Sequence, residues 1–322
     1  MKNKILTMLE TRRGECVSGA MMATELGVSR EAVNKAVASL KEQGFQISAA
    51  AGKGYCLSAD CDKLSEPGIR CFLRSEMPRD IFIYEETAST NAVAKREMRS
   101  GRDNILVAAE RQSEGRGRLG KSFYSPGESG VYMTIGLRPR ESAEKTVFLT
   151  VAAAVAAARA IDSLFDIRTQ IKWVNDIYYQ GKKLCGILTE AEFEVESGGI
   201  SYAVVGIGVN MQVPEGGFPE DIRQKAGALS QFSEKKVLRN QFIAELVNQF
   251  DETCAQLDSL EFLQEYRERS CLIGKRVKVL QAGAEPREAK VLAIDERARL
   301  VVYTADGETI AMSSGDVSIV ME

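Results

Sequence analysis

Gly115-Arg116-Gly117-Arg118-Leu119-Gly120 constrains the architecture of this 322-residue chain more sharply than any other stretch. It matches G-x-G-x-x-G, the dinucleotide-binding turn, which must close a strand and open a helix so that the helix N-terminus meets a pyrophosphate. The strand-like run Ile105-Leu-Val-Ala-Ala-Glu-Arg111 leads in as that pattern requires. The continuation, Lys121-Ser-Phe-Tyr-Ser-Pro-Gly-Glu-Ser-Gly130, holds Pro126 and several turn formers and cannot be a helix. Glycines interleaved with Arg116 and Arg118 instead predict a mobile loop whose amides and guanidinium groups wrap an anion. Phosphate chemistry without a Rossmann fold is the expectation.

Around this loop, residues 67–272 read as a mixed α/β domain. Strands are predicted at Ile81–Tyr84, Ile105–Glu110, Val131–Leu137, Ile171–Trp173, Leu184–Glu190 and Tyr202–Val209. Helices are predicted at Asn91–Ser100, Ala143–Phe165 and Lys235–Leu257. Hairpin-length turns at Gln180-Gly-Lys and Glu196-Ser-Gly-Gly make the sheet largely antiparallel. Upstream, residues 1–62 read as a winged helix-turn-helix. Ile5, Met8 and Leu9 give a first helix face, and Ser18 caps a second helix that ends at Gly27. Ser29 caps a third, with Val33, Ala36, Val37 and Leu40 as its apolar stripe. Ser29, Arg30, Asn34 and Lys35 fall outside that stripe, and Lys53 sits at the tip between two short strands. Such a face fits DNA better than a plain three-helix interaction module does. Asp60 to Pro67 reads as a linker. Residues 273–322 alternate in short runs and predict a small SH3-like β-barrel. The fold class is thus multidomain α+β.

Composition narrows the chemistry. The chain has no histidine, which removes Ser-His-Asp and Cys-His catalysis. Seven cysteines without C-x-x-C spacing predict reduced thiols in the cytoplasm. No N-terminal stretch resembles a signal peptide, and the apolar run Val147 to Ala158 is too short to span a bilayer, so no membrane association is expected. Residues 1–60 carry eight basic and six acidic side chains, and the remainder 34 and 39. A mildly basic head on an acidic body permits nucleic-acid binding by the head.

Three further constellations accompany the arginine loop. Ser89-Thr90-Asn91 stands at a strand–helix junction, where it can cap the helix or hydrogen-bond a small polar ligand. Lys172-Trp173-Val174-Asn175-Asp176 can be a mere turn, but a Trp beside Lys, Asn and Asp is less usual for one. Lys182 reads as a solvated hairpin tip, whereas Lys183 sits at the mouth of an apolar strand.

Taken together, Ser89-Thr-Asn91, Gln112, the Gly115–Gly120 loop, Lys172-Trp-Val-Asn-Asp176, Lys183-Leu-Cys-Gly-Ile-Leu-Thr-Glu190 and Gly206-Ile-Gly-Val-Asn-Met211 resemble the bacterial biotin protein ligases of the bifunctional kind, the biotin operon repressors. The resemblance covers nearly the whole chain. It implies a class II synthetase-like core that activates biotin with ATP and Mg²⁺ to biotinyl-5′-AMP, then biotinylates a lysine of the biotin carboxyl carrier domain of acetyl-CoA carboxylase. It also implies that the adenylate serves as corepressor, promoting a homodimer on operator DNA of biotin genes.

By resemblance, Ser89, Thr90, Asn91 and Gln112 bind the ureido ring. Arg116, Gly117, Arg118 and Lys183 meet the carboxylate and phosphate. Arg118, Lys121, Phe123, Lys172, Asn175 and Asn210 hold ATP or the adenylate. Catalysis falls to Arg116, Arg118, Lys183 and Asp176, with Asp176 either a Mg²⁺ ligand or the acceptor of the incoming lysine's proton. Val174 replaces the family's usual Pro, while Leu119 and Phe123 replace a frequent basic residue and Trp. Val174 still favours extended backbone, and Phe123 keeps an aromatic face for adenine. The chemistry suits a chain lacking histidine, because biotin's carboxylate is ionised at neutral pH and needs no general base. The competing readings are a lipoate-type ligase and a biotin-sensing repressor that no longer catalyses.

Overall fold

The computed structural model describes residues 1–75, 77–139, 146–193, 199–280, 285–313 and 316–319. The expected helix start at Ala143 and most of the turn from Glu196 lie outside the described residues.

The head contains α1 (Lys2–Glu10), β1 (Cys16–Val17), α2 (Gly19–Leu26), α3 (Arg30–Glu42), β2 (Ile47–Ala50) and β3 (Gly54–Leu57). Local chemistry sets its corners as expected. Ser18 Oγ accepts the Ala20 N–H at 3.3 Å, and Ser29 Oγ accepts the Ala32 N–H at 3.1 Å. Gly27 ends α2 at φ +64°, a conformation that costs glycine little. Met22, Ala23, Val33, Val37 and Leu40 close over Ile5 and Leu9 in the head's own core.

Two features of the head differ from expectation. β1, too short at two residues to show a period, adds an edge to give the order β1-β3-β2. Its Cys16 pairs across the ladder with Cys56, and the two form a disulfide. The expectation of uniformly reduced thiols is corrected there: strand pairing brought together two cysteines forty residues apart. Cys61, Cys71, Cys185, Cys254 and Cys271 are free.

Asp60 to Pro67 is a fixed joint rather than a loose tether. It runs into α4 (Glu66–Arg70), which packs on α1. Buried Arg239 donates to Asp62 Oδ2 at 2.8 Å, to the Asp62 carbonyl at 2.7 Å and to Glu110 Oε2 at 2.6 Å. Asn240 bonds Ser65 N and the Lys63 carbonyl at 3.1 and 2.9 Å. A composition scan sees polar residues here, but their partners lie some 175 positions away.

The central domain consists of β4 (Asp80–Thr87), α5 (Thr90–Arg99), β5 (Asn104–Gln112), β6 (Gly130–Leu137), α6 (Thr146–Phe165), β7 (Gln170–Lys172), β8 (Asp176–Tyr179), β9 (Lys182–Phe193), β10 (Ile200–Asn210), α7 (Glu220–Arg223), α8 (Arg239–Cys254) and α9 (Phe262–Glu268). Its sheet has the order β4-β5-β6-β10-β9-β8-β7. All neighbours are antiparallel except β4 and β5, which α5 joins as a parallel crossover. Period-two alternation divides the sheet cleanly. Leu106, Ala108, Met133, Ile135, Val205 and Ile207 face α6 and α8, while Ile105, Val107 and Val204 face α5. The apolar run from Val147 belongs to a twenty-residue helix, so its length does not exclude a span as expected. Val151 to Ala158 are fully buried in the core, which accounts for that apolar character.

The C-terminal region contains β11 (Arg276–Leu280), β12 (Arg287–Ile294), β13 (Leu300–Thr304), β14 (Thr309–Met312) and β15 (Asp316–Ile319) in an antiparallel sheet ordered β14-β13-β12-β11-β15. No ladder joins β14 to β15 among the described residues, so the sheet is open there. Val277, Val291 and Val302 share one hydrophobic core with α6 and α8.

Candidate functional site

Every residue singled out for ligand chemistry lines one cavity of about 960 Å³ on the α5 side of the central sheet: Ser89, Thr90, Asn91, Gln112, Arg116, Gly117, Arg118, Lys121, Phe123, Lys172, Asn175, Asp176, Lys183 and Asn210. A chamber of that size takes an organic ligand of several hundred daltons.

Its polar end is built at the start of α5. Ser89 occupies the N-cap position yet makes no side-chain cap bond, so the plain capping role does not account for it. Gln112, at the end of β5, accepts the Thr90 N–H at 2.9 Å and donates to Ser125 Oγ at 3.0 Å. Asn91 Nδ2 donates to Glu190 Oε2 at 2.8 Å and to the Leu188 carbonyl at 3.2 Å.

The opposite wall comes from the β7–β8 hairpin. Lys172 and Asp176 pair across it, leaving Trp173-Val174-Asn175 as its turn, with a cis peptide between Trp173 and Val174. The segment is therefore both a turn and a wall of the cavity. Trp173 Nε1 donates to the Ala298 carbonyl at 2.9 Å, and Tyr266 Oη to the Val174 carbonyl at 3.0 Å. Asn175 Nδ2 holds the Ile187 carbonyl at 2.6 Å, while its Oδ1 accepts from Arg118 Nη1 at 3.1 Å. Lys183 Nζ lies 2.6 Å from Asp176 Oδ1. Lys182, beside the hairpin turn, donates to the Gln224 carbonyl at 2.7 Å in an exposed hydrogen bond. Asn210 Nδ2 donates to the Gly227 carbonyl at 3.0 Å.

The arginine loop is more ordered than its glycines suggest. Arg116 and Ser122 form a β-bridge, Gly117 N–H bonds the Lys121 carbonyl at 2.7 Å, and Phe123 N–H bonds the Gly115 carbonyl at 2.8 Å. Leu119 at φ +56° and Gly120 at φ +73° turn the chain at its tip. As expected, no α-helix opens after it, and the chain runs on to β6. Arg116, Arg118, Lys121, Lys172 and Lys183 concentrate positive charge on one chamber whose lining carboxylates are Asp176 and Asp221. Such a field attracts a multiply charged anion and stabilises charge that develops during its reaction.

Glycines keep the floor open, and the sequence alone assigns them no role. A Cβ on Gly208 would lie 2.5 Å from the Phe123 ring, and one on Gly206 would lie 2.1 Å from Asn91 Oδ1. The signal was legible, since two glycines two apart in a strand empty one face of it. Gly206→Ala is expected to displace the Asn91 amide at a cost of about 1–3 kcal/mol, read as a lowered Tm. An unchanged Tm would show that the floor yields. Lys275, just before β11, and Val317 of β15 also line the cavity. Only packing of the two regions brings them there.

In the head, Ser29, Arg30, Asn34, Lys35 and Lys53 are all exposed. Lys35 pairs with Glu31 at 3.0 Å, and Asn34 Oδ1 accepts from Tyr55 Oη at 2.6 Å, tying α3 to the wing.

A model described as the biotin/lipoate A/B protein ligase family matches residues 83–210, an HTH domain model matches 2–56, and a biotin protein ligase C terminal domain model matches 272–320. The chain is 34% identical over 241 residues to the bifunctional ligase/repressor BirA of Bacillus subtilis (strain 168), covering 74% of each. It is 27% identical over 272 residues to a biotin–[acetyl-CoA-carboxylase] ligase of Mycobacterium tuberculosis, covering 80% of this chain and 98% of the other. In fold it resembles a biotin protein ligase from Aquifex aeolicus in complex with biotin and ATP, with TM-score 0.63 and 24% identity over 76% of this chain and 99% of that one.

Proposed function

Because this chain belongs to the family of bifunctional biotin protein ligases and repressors, we propose that this chamber is where biotin and ATP meet. The protein is an ATP-dependent biotin–protein ligase and a DNA-binding repressor. The observation that carries the site assignment is the convergence of one polar patch and one cationic patch on the same cavity.

Each group's chemistry sets its role. Ser89, Thr90, Asn91 and Gln112 form the polar patch for the ureido ring. Arg116, Arg118 and Lys183 draw the biotin carboxylate against the α-phosphate of ATP, offsetting the repulsion between two anions. A carboxylate oxygen attacks phosphorus, the bond to the β-phosphate breaks, and pyrophosphate leaves. The ε-amine of the acceptor lysine then attacks the anhydride carbonyl, loses a proton, and AMP departs. Phe123 offers its ring to adenine, while Lys121, Lys172, Asn175 and Asn210 surround the nucleotide. No cluster of three metal-ligating side chains exists among the described residues. Asp176 suits a magnesium ion carried in on phosphates, which needs only one or two protein carboxylates. Its position beside Lys183 equally suits it to take the amine's proton.

Several finer assignments complete the reading. The limits 1–62, 67–272 and 273–322 delimit head, ligase core and an SH3-like C-terminal barrel. The acceptor is a biotin carboxyl carrier domain. The adenylate promotes a homodimer whose paired α3 helices read two operator half-sites through Ser29, Arg30, Asn34 and Lys35, with Lys53 on the backbone. The location is cytoplasmic, without membrane association. One test addresses the core of this: pyrophosphate exchange into ATP should depend on biotin and not on lipoate. Exchange with lipoate alone, or none with either, would overturn it.

Arg118 closes the chamber through Asn175. Arg118→Gly is expected to shorten the lifetime of bound adenylate by about 10–100-fold, the worth of a charge-assisted hydrogen bond. A lifetime equal to the parent's would contradict the clamp role.

A further inference from the structure

Behind the polar end of the chamber lies a chain of hydrogen bonds whose protons can be assigned. Asn91 Nδ2 faces two groups that only accept, Glu190 Oε2 at 2.8 Å and the Leu188 carbonyl at 3.2 Å. Lys95 holds the other Glu190 oxygen. Burial alone would raise the Glu190 carboxyl, but hydrogen bonds from Lys95 and Asn91 outweigh it and hold its titration below the usual carboxylate range. The amide of Asn91 can therefore sit only one way round, with Oδ1 toward Thr134. Thr134 Oγ1, fully buried, lies 2.7 Å from that oxygen and 2.8 Å from Thr90 Oγ1. It has a single proton, and Asn91 Oδ1 cannot donate, so that proton goes to Asn91. The Thr90 proton is then spent inside the protein, on Thr134 or on Gln112 Oε1 at 3.1 Å. Gln112 is oriented in turn, because Ser125 spends its proton on the Phe123 carbonyl at 2.9 Å and must accept from Gln112 Nε2.

We propose that Glu190 and Thr134 are positioning residues that fix the Thr90 hydroxyl as a hydrogen-bond acceptor in the chamber, selecting a head group that presents a ring N–H. This rests on the reading of the chamber as a biotin site and deepens it: neither residue is assigned to the ligand, and both act through Asn91 and Thr90. A dithiolane offers no such donor and leaves the Thr90 oxygen without a partner. Sites built to hydrogen-bond a ligand group reject analogues lacking it far more strongly than sites that only fit its shape.

The test uses the full chain, biotin-dependent pyrophosphate exchange, and the two cyclic carbamate analogues of biotin in which oxygen replaces one ureido N–H. The parent should reject one of the two analogues strongly. Thr134→Val should raise KM for biotin about 5–100-fold, leave kcat and KM for ATP within about twofold, and bring the rejected analogue level with biotin. Thr134→Ser, which keeps the hydroxyl, should restore both the KM and the preference. Should Thr134→Val not fold, Glu190→Gln at the half-exposed position is read instead, with a smaller change in the same direction. Parent-like KM and preference in the readable variant would overturn the proposal. A parent whose exchange ignores biotin would overturn the functional reading instead.

Discussion

Lys183→Met should lower biotin adenylation by about 10²–10³-fold, the usual cost of removing one group aimed at charge that develops in a transition state. Its ammonium lies 2.6 Å from Asp176 and is held at the start of β9, where Lys183 pairs with Tyr178 of β8. Methionine preserves the reach and removes the charge. The same change also leaves Asp176 without its partner, so Lys183→Met with Asp176→Asn is the control. If the double variant recovers exchange, the defect is an orphaned carboxylate; if it stays as low as the single variant, the missing cation is the cause. Single-variant exchange within threefold of the parent would remove Lys183 from the mechanism.

Deleting the head should abolish operator binding outright, and where the cut falls should decide what happens to ligation. Asp62 supplies a carboxylate and a carbonyl to Arg239, whose side chain is only 5% exposed. Cutting after residue 61 keeps that partner, and cutting after 62 leaves a buried guanidinium with Glu110 alone. Loss of one partner from a fully buried pair costs about 3–5 kcal/mol; the partial exposure of Asp62 reduces this to about 2–3 kcal/mol. The shorter protein should therefore melt several degrees lower and lose ligation on warming, while the longer one keeps it. Equal melting of the two would show that the joint contributes nothing to the core. Undiminished DNA binding by either would overturn the assignment of residues 1–62.

How much of this was legible in the sequence depended on the range of the forces involved. Caps and turns are local, so Ser18, Gly27 and Ser29 marked the head correctly. Apolar runs bounded by turns located six of the seven central strands to within a few residues, but β8, which begins at Asp176, went unpredicted, and nothing local showed that β4 and β5 run parallel. The residues that line the chamber were picked out because several short motifs converged, and the fold brought every one of them to the same cavity. What escaped was set by contacts far apart in the chain: the Cys16–Cys56 bridge, the Arg239 joint, and the buried Thr134 behind Thr90. Thr134 looks like any strand threonine until Asn91 is seen beside it. Glycine count predicts mobility at Gly115–Gly120 because it says nothing of the backbone bonds that close the loop.

The indole of Trp173 is moored to Ala298 and the following carbonyl to Tyr266, so the hairpin wall is anchored from two other elements. An inhibitor designed to push in that direction meets a surface that will not give, and must match its contours as drawn. One that grows toward Leu119, 68% exposed at the tip of the arginine loop, runs out into solvent and gains little burial from each added atom. Chemists extending a biotin scaffold should expect steep structure–activity relationships on the first side and shallow ones on the second.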